Sequence, residues 1–590
     1  MKSICRIVVL LALLAGEAGA LETPYEKSGG LRTPTYAETM AWFADLAAAS
    51  PLLELTSFGT SPQGRNLPLI IADREGRFEA AAHRDRTGRV VLLVQACIHA
   101  GESCGKDAGM LLLRDLAENP ALAHKLLDKV TLVFVPIFNV DGHERFGPYN
   151  RINQNGPEEM GWRVTGQNVN LNRDYLKADT PEMQAWLRMF NEWLPDFFID
   201  IHSTDGADYQ YAVTYSLETR GNMDPALTAW TMEYEQKMNA AMAADGDPMA
   251  PYVAFRDWHD PRSGLRAWAA SPRFSQGYTA IQNRPGILIE THMLKDYRTR
   301  VEGALGLVTH TLDWLNREAS RLRALTLAAD EAVASPEFRA EPFPLDFELT
   351  DQATNIVFEG VAYETVTSEV TGGKWMRFTG EPETMELEYF GELAPSVTAD
   401  LPEAYIIPRE WTVAVDRLTF HGVKFERLRT PVELEVRTWK FSDATWQEPP
   451  YEGHHPVTFT AQPMHETRVF PAGSVVVDMN QRAARVAAHL LEPKGPDSLV
   501  QWGYFDAIFE RVEYVESYVI EEMITAMLEE NPELADDLAE RKAADPEFAA
   551  DPWAIRFWFY AQTPYYDSRV GIYPVGALDS SEVVGGLPLE

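Results

Sequence analysis

The chain has 590 residues, 45% of them hydrophobic and 24% charged, and a formal charge of -36. That length exceeds one ordinary domain and suits two or three, each able to bury its own core. So acidic a surface argues against nucleic acid or anionic membrane partners, and three cysteines exclude a disulfide framework.

Lys2 and Arg6 precede an apolar run from Ile7 to Ala15, and Ala18-Gly19-Ala20 provides the small residues of a cleavage site. Residues 1–20 therefore read as a secretory signal peptide, and the mature protein as exported, periplasmic or extracellular. Glu17 interrupts the run short of the ~20 apolar residues a membrane span needs. No other stretch is long and apolar enough, so no stable membrane insertion is expected. Cys97 and Cys104 remain after cleavage, either bridged or as two buried thiols.

Residues 21–330 alternate strand-like runs with amphipathic helices, the pattern of an α/β domain with a mixed central sheet flanked by helices. Arg89 to Val94 reads as a strand buried on both faces, and Lys106 to Leu116 as a helix. Val130 to Phe138 is the next strand, closed by Asn139-Val140-Asp141-Gly142. Thr180-Pro181-Glu182 caps a helix whose apolar positions Met183, Trp186, Leu187, Phe190 and Leu194 keep helical spacing. Phe197 to Ile201 is a strand ending at His202, Gly286 to Ile289 another ending at Glu290, and Arg298 to Leu327 a long closing helix. Ser335 to Pro344 has the prolines of a linker. Residues 345–478 read as a β-rich appended domain, and 479–590 as a helical C-terminal region with helices over 480–491 and 506–529 and a solvated acidic face over 529–551.

Chemistry collects at the carboxyl ends of strands in an open α/β sheet. Here those ends carry His99 with Glu102, His202, and Glu290. Two imidazoles and a carboxylate suit one zinc ion with an open position for water, and a further carboxylate suits a proton acceptor. A lone His-x-x-Glu is weak evidence, and any one strand-end histidine is more often structural; the three together are not so easily set aside. Arg163 and the pair Asn172-Arg173 lie between the ligands. One guanidinium can stabilise an oxyanion and another can hold a carboxylate. His454, His455 and His465 lack a matching partner in the sequence and read as structural.

Taken in order, His99-Ala100-Gly101-Glu102, Asn139-Val140-Asp141-Gly142, Trp162-Arg163, Asn172-Arg173, Ile201-His202-Ser203 and Glu290 resemble the zinc metallocarboxypeptidase family of the carboxypeptidase A type over roughly residues 30–325. The resemblance implies that His99, Glu102 and His202 hold the zinc and that Glu290 is the general base. It also implies that Arg163 polarises the scissile carbonyl and that Asn172 and Arg173 grip the substrate carboxylate. The substrate would be a peptide with a free C-terminus, cut at its last peptide bond. Two departures stand out. Asn170 occupies a position where the family often has aspartate orienting the first histidine. The family also has a tyrosine on a loop over the substrate, about twenty residues before its glutamate base, and the nearest candidate here, Tyr278, is twelve before Glu290. Rival readings are a cell-wall stem-peptide amidase or carboxypeptidase using the same site, and a non-catalytic peptide-binding relative. Oligomeric state, side-chain specificity and the role of the region after Ser335 are not legible; the specificity pocket is expected between Tyr252 and Gly286.

Overall fold

The computed structural model describes residues 21–84, 87–204 and 206–590; the signal-peptide reading of residues 1–20 lies outside them. The first half is built on eight strands. They are β1 (Leu53–Thr60), β2 (Asn66–Ala72), β3 (Val90–Ala96), β4 (Val130–Val135), β5 (Phe197–Thr204), β6 (Val213–Leu217), β7 (Met249–Pro251) and, after the hairpin β8 (Phe255–Asp257) and β9 (Asp260–Arg266), β10 (Gly286–His292). Their order is β1-β2-β4-β3-β5-β10-β6-β7. The central strands β4, β3, β5 and β10 are parallel, and antiparallel β1, β2 and β6 make the sheet mixed. This is the α/β class expected.

The apolar run of β3 is explained by burial on both faces. Val90, Leu92 and Val94 join a core with the helices Tyr36–Ala49, Cys104–Glu118, Pro225–Ala244 and Tyr297–Val333. Val91 and Leu93 point the other way, into a core with Trp186, Leu187 and Phe190 of the helix Pro181–Trp193 and with Tyr405, Ile407, Val477 and Leu490 from the second half of the chain. Alternate residues of a strand face opposite sides, so two covering layers demand a run without polar interruption.

Boundaries shift for local reasons. β4 stops at Val135 rather than Phe138, because Pro136 has no N–H for the ladder. The closing helix is longer at both ends than read, Tyr297–Val333, with Asp296 accepting from Thr299 at its start. The expected linker is ordered: Pro336–Arg339 makes a 3-10 turn, and Phe343 is buried where β11 (Phe343–Leu349) begins.

Beyond it come β12 (Thr354–Thr367), β13 (Lys374–Phe390), β14 (Leu393–Ala399), β15 (Ala404–Ile407), β16 (Glu426–Arg427), β17 (Val432–Trp446), β18 (Val457–Phe470), β19 (Val475–Asp478) and, far along the chain, β20 (Gly576–Leu578). The region is β-rich as expected, but pairing crosses the boundaries drawn from sequence. The ribbon β12–β13 continues into β9–β8 of the first half, and β20 inserts between β15 and β17. The C-terminal region is thus helical only in part, and the expected helix over 506–529 is a short turn at Asp506–Phe509 and a helix at Ser517–Glu530. Backbone pairing is non-local, so no window of composition could reveal these partners. Among the described residues no helix is long and apolar enough to cross a membrane.

Candidate active site

Three adjacent parallel strands, β3, β5 and β10, bring the predicted ligands together. In the β5–β10 ladder His202 and Glu290 are register partners, so their side chains share a face, and Ala96 at the end of β3 pairs with Ile201. After β3 the chain turns sharply at Cys97, whose φ of 57° is left-handed, and Glu102 N–H closes the turn on His99 C=O at 2.9 Å. Gly101 is required inside it: a Cβ there would lie 2.8 Å from both Arg151 Cγ and Gly161 O. Cys97 and Cys104 are both buried free thiols, which settles the bridge-or-thiols alternative.

His99, Glu102 and His202 converge with ligand atoms within 4.8 Å of one another, all three buried. His202 Nδ1 stands 3.1 Å from His99 Nδ1 and 3.1 Å from Glu102 Oε2, and His99 Nδ1 is 3.2 Å from Glu102 Oε1. A tetrahedral ion with ~2.0–2.1 Å bonds separates its ligands by about 3.3 Å, so the donor set fits zinc in kind and in spacing. Each ring is aimed through its far nitrogen. His202 Nε2 meets Asp200 Oδ2 at 2.8 Å, and His99 Nε2 meets Asn170 Oδ1 at 3.0 Å, leaving both Nδ1 atoms to face the cluster.

The electrostatics favour a cation. Burial pushes the His99 ring down to about 3, so it is neutral and able to ligate. Burial works against a charged His202, yet Asp200 and Glu102 outweigh it and raise that ring's proton affinity. A site that draws a proton this strongly draws a metal cation for the same reason. Burial likewise opposes a charged Glu102, but His99 and Arg151 hold the carboxyl well below its usual range.

Arg163 reaches the cluster, with Nη1 3.3 Å from Glu102 Oε1, and its backbone is pinned by the Asn139 motif. Asn139 Oδ1 accepts from Gly142 N–H, Asn139 Nδ2 donates to Arg163 C=O at 3.2 Å, and Trp162 N–H donates to Gly142 C=O at 2.7 Å. Asn172 Oδ1 accepts from Ser275 N–H at 3.1 Å, while the Arg173 guanidinium donates to Asn172 C=O at 2.6 Å and lies 4.2 Å over the Phe274 ring. A cleft of about 510 Å³ joins His99, Glu102, Arg163, Asn172, Arg173, His202 and Glu290, with Tyr252, Trp268, Ser271, Phe274 and Gln276 on its remaining wall.

Tyr278 is not brought there. It is fully buried in the helix Ser275–Ile281 against Tyr175, Trp186 and Phe190, its hydroxyl 2.9 Å from His421 Nδ1 and accepting from Gln282. It is a core residue, because the helix turns that position toward the second half of the chain. Sequence reading also missed Arg151, whose Nη2 is 2.9 Å from Glu102 Oε1, and Asp200, although Asp-x-His on a strand was a signal that could have found the latter. The cleft wall from Tyr252 to Gln276 falls where the specificity pocket was expected.

Residues 39–280 match the model of the family described as zinc carboxypeptidase. "Carboxypeptidase 2" of Trichophyton rubrum is 24% identical over 491 residues, 81% of this chain and 85% of that protein. Its counterpart in Trichophyton equinum is also 24% identical, over 498 residues, with the same shares. Among solved structures, a metallo-carboxypeptidase from Pseudomonas aeruginosa in complex with (2-guanidinoethylmercapto)succinic acid is 20% identical, covering 49% of this chain and 70% of that one with a TM-score of 0.37. One from Burkholderia cenocepacia is 19% identical, covering 48% and 70%, with a TM-score of 0.36. The α/β half of this chain is thus similar to zinc carboxypeptidases, by the family model over residues 39–280 and by the Trichophyton proteins over most of its length.

Proposed function

We propose that the protein is an exported exopeptidase that removes the C-terminal residue of peptides, with one zinc held by His99, Glu102 and His202. The observation that carries it is the single cleft in which this ligand set, Glu290, Arg163 and Asn172-Arg173 all meet. When bound there, zinc supplies a Lewis acid and brings the pKa of its water to ~7. Glu290, beside His202 in the ladder, takes the proton of the attacking water and passes it to the leaving amine. Arg163, one ion pair from the cluster, meets the negative charge that develops on the carbonyl oxygen. Arg173 and the Asn172 amide would hold the terminal carboxylate, which would set the last peptide bond in the cleft beside His99, Glu102 and His202. The aromatic wall of Tyr252, Trp268 and Phe274 shields the bond from bulk water.

The clamp is tested with paired peptides that differ only in a free or amidated C-terminus. Arg173→Ala should lower kcat/KM on the free acid by ~30-fold or more and change the amide far less, because removing one partner of a charge pair costs ~2–5 kcal/mol. Equal wild-type rates on the two peptides would point instead to an endopeptidase or a side-chain amidase. Free-acid stem peptides of cell walls belong in the same panel, since the clamp recognises only the carboxylate.

A further inference from the structure

The turn between β17 and β18 of the β-rich region lies against the segment that carries Asn170, Asn172 and Arg173. At its tip Tyr451 and His454 exchange both backbone hydrogen bonds, at 2.8 and 3.0 Å. The two residues between them, Glu452 and Gly453, both have left-handed backbones, with φ of 51° and 84°. Glycine adopts that conformation freely, whereas a glutamate there is strained and persists only where its surroundings hold it. Here they do. Glu452 Oε2 accepts the Asn170 N–H at 2.9 Å, across 282 positions of sequence.

Asn170 is where that contact matters. Its Oδ1 meets His99 Nε2 and also accepts the Asn172 N–H, each at 3.0 Å. One side chain thus aims a metal ligand and sets the start of the carboxylate clamp, and its own backbone is held by Glu452. The same turn is anchored twice more. The Tyr451 ring stacks on Trp502 at 6.0 Å and 7°. His454 Nε2 lies 2.7 Å from Asp179 Oδ2, a carboxylate that also takes Lys177, Arg417 and the Tyr504 hydroxyl. Burial opposes charge on Asp179, but His454 and Lys177 prevail and hold its carboxyl far below the usual range. The segment from Asn170 to Asp179 is therefore clamped at both ends by residues of the β-rich region. His202 needs no such help, because Asp200 lies on its own strand.

We propose that Glu452 is a positioning residue of the active site: the β-rich region uses it to fix Asn170, and through Asn170 the His99 ring and the Asn172-Arg173 pair. The metal half of this stands on the ligand cluster alone, and the substrate half rests on the exopeptidase reading above.

The test compares wild type with Glu452→Ala, Glu452→Gln and Glu452→Asp. The readouts are the rate of zinc release to a chromophoric chelator, kcat and KM on a free-acid peptide, and the melting temperature. Glu452→Ala should release zinc ~10-fold faster and raise KM ~5-fold or more. Glu452→Gln keeps an acceptor at the same reach and should stay within ~2-fold of wild type on both. A purely structural contact would lower the melting temperature and the active fraction, leaving zinc release and KM per active molecule unchanged. Should the alanine variant not fold, Glu452→Asp is one methylene too short and takes its place. Wild-type zinc release and KM in the shortened variants would overturn the proposal, as would equal damage in Glu452→Gln and Glu452→Ala. A wild type that holds zinc but cleaves no peptide would sink the exopeptidase reading and leave the zinc-release arm to decide this one.

Discussion

His99 and His202 take equivalent places in the candidate metal cluster with different support. Both rings are buried and both present Nδ1 to the cluster, but a carboxylate aims one and an amide the other. A charged partner makes an imidazole a stronger donor, so Asp200→Asn should weaken zinc binding by ~10–100-fold in a competition titration, with little change in the melting temperature of the metal-free protein. A second residue, Glu182, is conspicuous for what it lacks. It is fully buried, its carboxylate meeting no partner among the described residues beyond its own backbone N–H, and burial, with Asp141 and Asp174 nearby, outweighs that bond and pushes its pKa up to about 7. The folded state then holds the proton more tightly than the unfolded chain, whose carboxyl titrates near ~4.3. Stability is accordingly greatest below that value, falls as pH rises, and levels off above about 7, a loss of order 3 kcal/mol. Glu182→Gln should abolish most of this slope. Urea melts at about pH 8 should show the variant the more stable, and melts at about pH 4.5 should show the two nearly equal.

The turn from Cys97 to Glu102 shows how a short element carries the chemistry. It leaves β3 through a left-handed residue, places two candidate ligands three positions apart, and hands the chain to the helix Cys104–Glu118 within a few residues. The space it leaves is filled by Arg151 and the backbone at Gly161, so Gly101 is needed for close approach rather than for conformational freedom. Gly101→Ala would drive Arg151 from Glu102 or push the backbone at Gly161 outward. Overpacking of this kind costs ~1–3 kcal/mol, and the displaced ligand should lower zinc affinity as well, which calorimetry and metal titration would report separately. Loss of stability with zinc affinity intact would mean that the Gly161 side yields and the ligand turn does not.

The two halves are not beads on a string. The face of the central sheet that bears Trp186, Phe190 and Tyr278 is covered by Tyr405, Ile407, Val477 and Leu490, and β12–β13 share a sheet with β8–β9. Polar ties cross the same boundary, among them Tyr278 with His421, Arg482 with Gln282, and Arg273 with Asp497. An apolar face that large does not survive exposure to water, so a fragment ending at Ser335 should fail to give a soluble, zinc-binding protein. For the same reason the intact chain should unfold in one cooperative calorimetric transition through the shared core. Two well-separated transitions, or a soluble fragment with normal zinc affinity, would refute it.

The residues of the candidate metal cluster could be picked out in the sequence because they follow the ends of short apolar runs, and a parallel sheet has only one end at which such groups can gather. Arg163 and Asn172-Arg173 were legible as motif pieces, and the double-sided burial of β3 followed from its unbroken apolar composition. Tyr278 was misjudged because spacing from Glu290 says nothing of which way a helix turns a side chain; packing turned it into the core. Arg151, Glu452 and the pairing of β9 with β13 carry no local signature at all. They depend on which surfaces meet once two cores have formed, and hydrogen bonds spanning hundreds of residues are chosen by the burial of the faces around them. The chain's own pattern therefore decided what the site is made of, and only the tertiary structure decided what holds it in place.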